Sequence, residues 1–131
     1  MGKAVLVCVF LALHPASASA LPGDGGPGPD LLNGTPGTDV IHGGGGDDII
    51  NGGGGSDRLY GDAGRDRIFG GAGADRLSGG RGHDAISGGA GADRIYVRDG
   101  ETDAVSCGAG RDTVSADRRD TVTGCERVRR G

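Results

Sequence analysis

Residues 70–78 read GGAGADRLS and residues 88–96 read GGAGADRIY, two copies of one nine-residue phrase, G-G-x-G-x-D-x-U-x, in which U is aliphatic. The phrase runs eight times without a break from residue 25 to residue 96. Its sixth place is always an aspartate: Asp30, Asp39, Asp48, Asp57, Asp66, Asp75, Asp84 and Asp93. Nine residues bury too little surface to fold alone, so the copies must complete one another's core, as in a solenoid.

Each copy divides into a turn and a short strand. The glycines at the first, second and fourth places permit positive φ angles and close approach of neighbouring chains. The D-x-U-x end has the two-residue alternation of a strand. Two copies therefore make one flattened coil of eighteen residues with a strand on each side. Stacked coils predict an all-β fold, a parallel β-roll (a β-solenoid) of two short-stranded parallel sheets with the U side chains inside.

The turns should bring the aspartates together in pairs. Residues one coil apart lie about 4.8 Å apart along the stack, the spacing of paired strands. Calcium takes about six to eight oxygen ligands in a flexible shell, and two stacked turns offer two carboxylates and several carbonyl groups. The predicted pairs, three along each edge, are Asp30 with Asp48, Asp39 with Asp57, Asp48 with Asp66, Asp57 with Asp75, Asp66 with Asp84 and Asp75 with Asp93. The sequence therefore predicts six sites for calcium ions (Ca2+).

The repeats resemble the repeats-in-toxin, or haemolysin-type, calcium-binding nonapeptides. Residues 43–51 (GGGGDDIIN) carry this resemblance together with residues 70–78 and 88–96. It implies a right-handed parallel β-roll, calcium held between turns by the sixth-place aspartates, and folding that depends on the metal. Thr35 and Asp62 depart from the pattern by replacing the second glycine. We expect these two substitutions to affect loop geometry more than ligation, because the aspartates stay in phase.

Other glycine-rich motifs fit the repeat less well. A flexible linker would share the composition but not the fixed offset between aspartate and aliphatic residue. Collagen is excluded because glycine does not recur at every third place, and an EF-hand is excluded because no D-x-[DN]-x-[DN]-G loop ends in glutamate. A nucleotide-binding glycine loop would need a following helix, and the repeats have no helical periodicity.

Residues 1–20 are typical of a secretory signal peptide. Lys3 precedes an apolar run from residue 4 to residue 13, and small residues at 18–20 suit cleavage before Leu21. The apolar run is short for a membrane span, although an uncleaved anchor is the alternative. Cys8 lies inside this run, where we interpret it as an ordinary residue of the signal. We therefore expect a secreted, extracellular protein with no membrane span once the signal is removed.

Residues 97–131 continue the repeat in degenerate form. Aspartate is still followed by valine two places later at Asp103, Asp112 and Asp120, but the spacing between copies becomes irregular. Asp112 over Asp93 is a candidate seventh, weaker calcium site. Cys107 and Cys125 are eighteen residues apart, so one coil should stack them within reach of a disulfide. We expect residues 21–96 to form the calcium-binding roll and residues 97–131 to form a disulfide-clamped C-terminal cap.

Two alternatives to the disulfide are free thiols and a zinc pair. Zinc has little support, because there is no second C-x-x-C and His42 and His83 occupy variable repeat positions typical of surface residues.

Composition and charge narrow the function. Without Lys3, thirteen arginines face eighteen acids, a formal balance of −5, which argues against a nucleic-acid partner. Arg58, Arg76 and Arg94 should stack into a basic stripe, which we interpret as a solvated face.

The repeats leave no catalytic motif visible and no room for an enzyme domain. The leading hypothesis is a secreted, non-enzymatic calcium-binding protein whose roll folds or stiffens on binding calcium. A calcium-dependent adhesive or surface-recognition module is the alternative, and a remnant of a repeat-bearing secreted enzyme is less favoured.

Overall fold

A computed structural model describes residues 23–131, so the expected signal peptide at residues 1–20 lies outside the described residues. Within the described part the chain consists of short strands joined by turns. The strands are β1 Asp24–Gly26, β2 Leu31–Asn33, β3 Val40–Gly44, β4 Ile49–Asn51, β5 Arg58–Tyr60, β6 Arg67–Ala72, β7 Arg76–Ser78, β8 Ala85–Ala90, β9 Arg94–Val97, β10 Ala104–Ala109, β11 Thr113–Ala116, β12 Thr121–Thr123 and β13 Arg127–Arg130. Residues 23–131 contain no helix that is long and apolar enough to cross a membrane.

The strands alternate between two parallel sheets. One sheet has the order β1-β3-β5-β7-β9-β11-β13, and the other has the order β12-β10-β8-β6-β4-β2. Each coil therefore adds one strand to each sheet, and every strand pairs with the strand one coil away. The prediction of an all-β parallel β-roll is confirmed.

The register follows the nonapeptide through the centre and changes near the C-terminus. Leu59 pairs with Leu77 and Leu77 with Ile95, a step of eighteen residues. The step is nineteen between Ile95 and Val114, where the irregular tail begins to stack on the repeats. It is fourteen between Val114 and Val128, in the last pair of strands. Both sheets nevertheless continue into the tail without a break.

The core is a thin ladder of aliphatic side chains between the sheets. Every U residue of the eight repeats is buried: Leu32, Ile41, Ile50, Leu59, Ile68, Leu77, Ile86 and Ile95. Val105 and Val114 extend the buried ladder into the tail. Val122 is only partly buried, and Val128 is 39 % exposed. The core therefore thins at the C-terminal end, where no further coil covers it.

A disulfide joins Cys107 to Cys125 at this thin end, with 5.1 Å between their Cα atoms. The predicted pairing is present, but the reason differs slightly from the expected one. Ser106 pairs with Thr123, so this coil has seventeen residues and the cysteines are one place out of register. The bond ties β10 to the segment that follows β12.

Candidate metal centre

The repeat aspartates form two ladders, one along each edge of the roll. The backbone N–H of each aspartate donates to the Oδ1 atom of the aspartate one coil further on, over 2.8–2.9 Å. All six predicted pairs are joined in this way: Asp30 with Asp48, Asp39 with Asp57, Asp48 with Asp66, Asp57 with Asp75, Asp66 with Asp84 and Asp75 with Asp93. The coil length therefore places the predicted site residues together.

The second carboxylate oxygen is buried and left over along most of both ladders. Among residues 23–131, the Oδ2 atom has no hydrogen-bond partner in Asp48, Asp57, Asp66, Asp75, Asp84, Asp93, Asp103 and Asp112. A buried acceptor without a partner costs about 1–3 kcal/mol, and more when it carries charge. One such oxygen could be tolerated as an isolated defect. A row of them makes these positions candidate cation sites.

Backbone carbonyl oxygens converge on the same positions. A methyl group placed on Gly70 would lie 2.5 Å from the carbonyl oxygen of Gly88 and 2.7 Å from Oδ2 of Asp75. A methyl group placed on Gly88 would lie 2.7 Å from the carbonyl oxygen of Cys107 and 2.6 Å from Oδ2 of Asp93. The first glycine of the phrase is therefore required because a side chain would fill the space between a carboxylate and a carbonyl.

Burial changes the protonation of these carboxyl groups in the metal-free protein. Desolvation, helped by the charges of neighbouring Asp66 and Asp30, raises the pKa of Asp48 to about 7 against the lowering effect of the hydrogen bond from the Asp30 N–H. Desolvation likewise raises the pKa of Asp66, Asp75 and Asp93 to about 6. A divalent cation would oppose these shifts, because it stabilises the charged form of each carboxylate.

The donor set suits calcium better than zinc. Within residues 23–131, no three His, Cys, Asp or Glu side chains come together as a metal cluster. Each position instead combines carboxylates with backbone carbonyls, the hard oxygen ligands that calcium takes in large, flexible shells. Structural zinc sites use four Cys or His side chains, which these turns lack.

The ladders extend further into the tail than the sequence predicted. Asp93 N–H donates to Asp112 over 2.9 Å, so the candidate seventh pair is stacked like the others. Asp84 N–H donates to Asp103 over 2.7 Å, and Asp103 N–H donates to Asp120 over 3.0 Å. The register places Glu126 beside Asp112, since Thr113 pairs with Arg127. Sequence reasoning missed Asp103 and Asp120 as ladder residues, although their place two residues before a valine could have identified both.

Asp62 takes over the backbone role of the glycine it replaces. Its φ angle is 73°, in the left-handed region that the second glycine occupies elsewhere, for example 93° at Gly71. Its carboxylate accepts a hydrogen bond from Gly44 N–H over 3.3 Å and lies 3.1 Å from Nδ1 of His42. The His42 ring stacks on Tyr60 with 4.5 Å between ring centres. The loop geometry is therefore kept at Asp62, and His42 lies at the surface as expected.

Thr35 behaves differently from Asp62. Its φ angle is not positive, and its backbone N–H donates to Oδ2 of Asp39 over 2.6 Å. Its hydroxyl lies 3.1 Å from Oδ1 and 3.0 Å from Oδ2 of the same carboxylate. The loop geometry therefore changes at Thr35, as expected, and the threonine in addition bonds directly to the repeat aspartate.

Comparison with known proteins identifies the repeats. The RTX calcium-binding nonapeptide repeat (4 copies) matches residues 24–59, 52–86 and 69–101, which together span 78 of the 131 residues. No curated protein matches the chain. A similar solved structure is the solution structure of a subunit of the mannuronan C5-epimerase from Azotobacter vinelandii. It is 34 % identical over 67 % of this chain with a TM-score of 0.36, and the chain spans 48 % of that structure's length.

Proposed function

The chain belongs to the family of RTX calcium-binding nonapeptide repeat proteins, and we propose that its aspartate ladders hold the calcium ions that such repeats bind. The proposed ligands are Asp30, Asp48, Asp57, Asp66, Asp75, Asp84 and Asp93, extended by Asp103 and Asp112. The observation that carries this assignment is the row of buried Oδ2 atoms without partners from Asp48 to Asp112. A carbonyl oxygen of the next coil lies near this atom in five of these turns, those of Asp48, Asp57, Asp66, Asp75 and Asp93. Asp39, which the sequence predicted as a ligand, is left out of the proposed ligands because both of its carboxylate oxygens accept hydrogen bonds from Thr35.

Calcium binding should be coupled to folding. The core is one aliphatic side chain wide, and the chain has 31 glycines whose conformational freedom opposes folding. Stacked carboxylates repel one another across each pair of turns, and bound calcium supplies the positive charge that turns this repulsion into ligation. We therefore propose a roll that folds or stiffens when calcium is present.

We propose a non-enzymatic, secreted role for this roll. The buried acids of the described residues belong to the two ladders, which gives them a structural purpose. A disulfide favours an oxidising compartment, and residues 1–20 have the pattern of a secretory signal. Extracellular fluids contain the calcium that weak, exposed sites of extracellular modules require.

Calorimetric titration of the chain with calcium tests the proposal, alongside circular dichroism in chelator and in calcium. We expect several ions to bind per chain and β structure to increase on binding. Magnesium should substitute poorly, since it requires a rigid octahedral shell at shorter distances. A chain that binds no calcium, or binds it equally well when Asp57 and Asp75 are replaced by asparagine, would refute the ladder assignment.

Surface recognition is a second candidate function, favoured by the outer face of the β1–β13 sheet. Arg58, Arg76 and Arg94 lie side by side in register and are exposed. Exposed Tyr96 lies two residues from Arg94 on the same face. Such a face suits an anionic surface or polymer, and calcium would be needed to hold its strands flat. Retention on an anionic but not a neutral matrix, lost in chelator and in a triple Arg→Gln variant, would support it.

A further inference from the structure

The eight repeats differ in how their aspartate is satisfied. In most turns Oδ1 accepts the N–H of the preceding ladder aspartate and Oδ2 has no partner. Asp39 is the first of its ladder, and both of its carboxylate oxygens accept hydrogen bonds from Thr35 of the same turn. Its Oδ2 atom therefore has hydrogen-bond partners, unlike the Oδ2 atoms of the ladder aspartates from Asp48 to Asp112.

The bonds around Asp39 form a closed local network. Besides the contacts from Thr35 to Asp39, the Thr35 hydroxyl accepts a hydrogen bond from Gly37 N–H over 3.1 Å. Thr35 is 7 % exposed, so water competes little for these bonds. The donors N–H and O–H direct their positive ends at the carboxylate, which is the role that a cation would otherwise fill.

The backbone of this turn also differs from that of the other repeats. The second residue of the other seven repeats has a φ angle between 73° and 112°, whereas the φ angle of Thr35 is not positive. The changed backbone directs the Thr35 N–H at Asp39, and the β-branched threonine favours that conformation, because positive φ is costly for such residues.

We propose that Thr35 takes the place of a calcium ion at the start of this ladder, so that the Asp39–Asp57 position needs no calcium and the ladder binds its first ion between Asp57 and Asp75. The inference rests on the proposed function, that calcium binds at the ladders. The first turn of this edge would then be ordered by protein donors alone.

The opposite end of the other ladder shows a related arrangement. Oδ1 of Asp120 accepts the N–H of Asp103, and its Oδ2 accepts the N–H of Asp117 over 2.6 Å. Asp39 and Asp120 thus lie at opposite ends and on different ladders, and both have their second oxygen bound by the protein. Each ladder would then have one end that needs no metal, the Asp39 end of one and the Asp120 end of the other.

The number of calcium ions per chain, measured by calorimetry and by metal analysis after gel filtration, tests the role of Thr35. Asp39→Asn in the otherwise unchanged protein should leave this number unchanged. The matched variant Asp75→Asn should lower it. Thr35→Gly, which restores the repeat consensus, should add one ion, and Thr35→Ser should not, because serine keeps the hydroxyl donor.

The double variant Thr35→Gly with Asp39→Asn separates a new site from a nonspecific gain. It should return to the number of ions that the unchanged protein binds. A loss of one ion in Asp39→Asn alone would overturn the inference while leaving the ladder assignment intact, and so would an unchanged number in Thr35→Gly. An unchanged protein that binds no calcium would overturn both.

A second measurement keeps the test decisive if Thr35→Gly folds poorly. Amide hydrogen exchange of the unchanged protein at limiting calcium should show the Thr35 N–H protected before the corresponding amides of the central turns. Protection that appears at Thr35 only together with the central turns would contradict a metal-independent start.

Discussion

The central coils, residues 43–96, and the C-terminal coils, residues 97–131, continue the same aspartate ladders but enclose different cores. In the central coils paired residues are eighteen positions apart in the sequence, and side chains such as Leu59 and Leu77 are fully buried. In the C-terminal coils the register varies and Val128 is 39 % exposed. The ladder hydrogen bonds tolerate a changed coil length because the turns absorb the added or missing residues. Core burial also survives the nineteen-residue steps at Val105 and Val114, and it weakens only in the outermost strands β12 and β13.

We expect the two regions to depend on different supports. The central coils have buried carboxylates without partners and no covalent cross-link, so under the proposed function bound calcium is what supports them. The C-terminal coils end in the edge strands β12 and β13, whose Val122 and Val128 are not fully buried, and the Cys107–Cys125 bond lies next to β12.

Calcium removal should have the largest effect. In chelator we expect the central coils to lose most of their β structure, because nothing else compensates the stacked carboxylates. Circular dichroism measures the total loss, and segment-resolved hydrogen exchange assigns it to residues 43–96. Magnesium at the same concentration is the control and should restore little. Equal exchange with and without calcium would mean that the core alone holds the central coils.

Acidification should act in opposite directions with and without calcium. The folded, metal-free protein has carboxyl groups with raised pKa values, about 7 for Asp48 and about 6 for Asp84, against an ordinary value of 3.8. A carboxyl group whose pKa is higher in the folded than in the unfolded state stabilises the fold fully when the pH is below its unfolded-state pKa. This stabilisation is lost as the pH rises through the folded-state pKa values of about 6 to 7. In chelator, β structure should therefore increase as the pH falls from 7.5 towards 4.

In calcium the pH dependence should have the opposite sign, with β structure lost as the pH falls, because protons compete with the metal for the same oxygens. The calcium concentration at the folding midpoint should rise as the pH falls below about 7. Titrations by circular dichroism at several pH values check both signs. A metal-free protein that loses structure on acidification would show that the buried carboxylates do not control its folding.

Replacing one ladder aspartate should have a smaller effect that depends on the region. Asp66 is hydrogen-bonded to Asp48 on one side and Asp84 on the other, and lies between two proposed sites. We expect Asp66→Ala to raise the calcium midpoint at least about tenfold, since even outer-shell changes cost a metal site that much. Asp112→Ala in the C-terminal coils, and Asp30→Ala at the first turn, should each cost less. Equal midpoints and equal numbers of bound ions in the three variants would contradict the pairing scheme.

The sequence predicted those properties that depend on the phase of the repeat. The eighteen-residue coil and the stacking of Asp48 over Asp66 follow from the nonapeptide, and both are found in the structure. The contacts of Thr35 could not be predicted, because they depend on a backbone conformation that one residue changes. Glu126 was missed because the last coil step is fourteen residues, so its position in the ladder appears only once strands β11 and β13 are paired.

The disulfide should have the smallest and most local effect. Closing a loop of this length contributes about 3 kcal/mol to the free energy of unfolding in the chain-entropy model, less any strain. We expect a Cys107→Ala, Cys125→Ala variant to show faster hydrogen exchange in β12 and β13, with little change in β5–β9. The difference should be largest at low calcium, where the C-terminal coils have least other support. Mass spectrometry of the non-reduced, unmutated protein should first show a linked peptide pair and the loss of two hydrogens. If removing the bond accelerated exchange equally in β5–β9, the two regions would unfold as one unit, and the C-terminal coils would be part of the roll's cooperative core and not a separate cap.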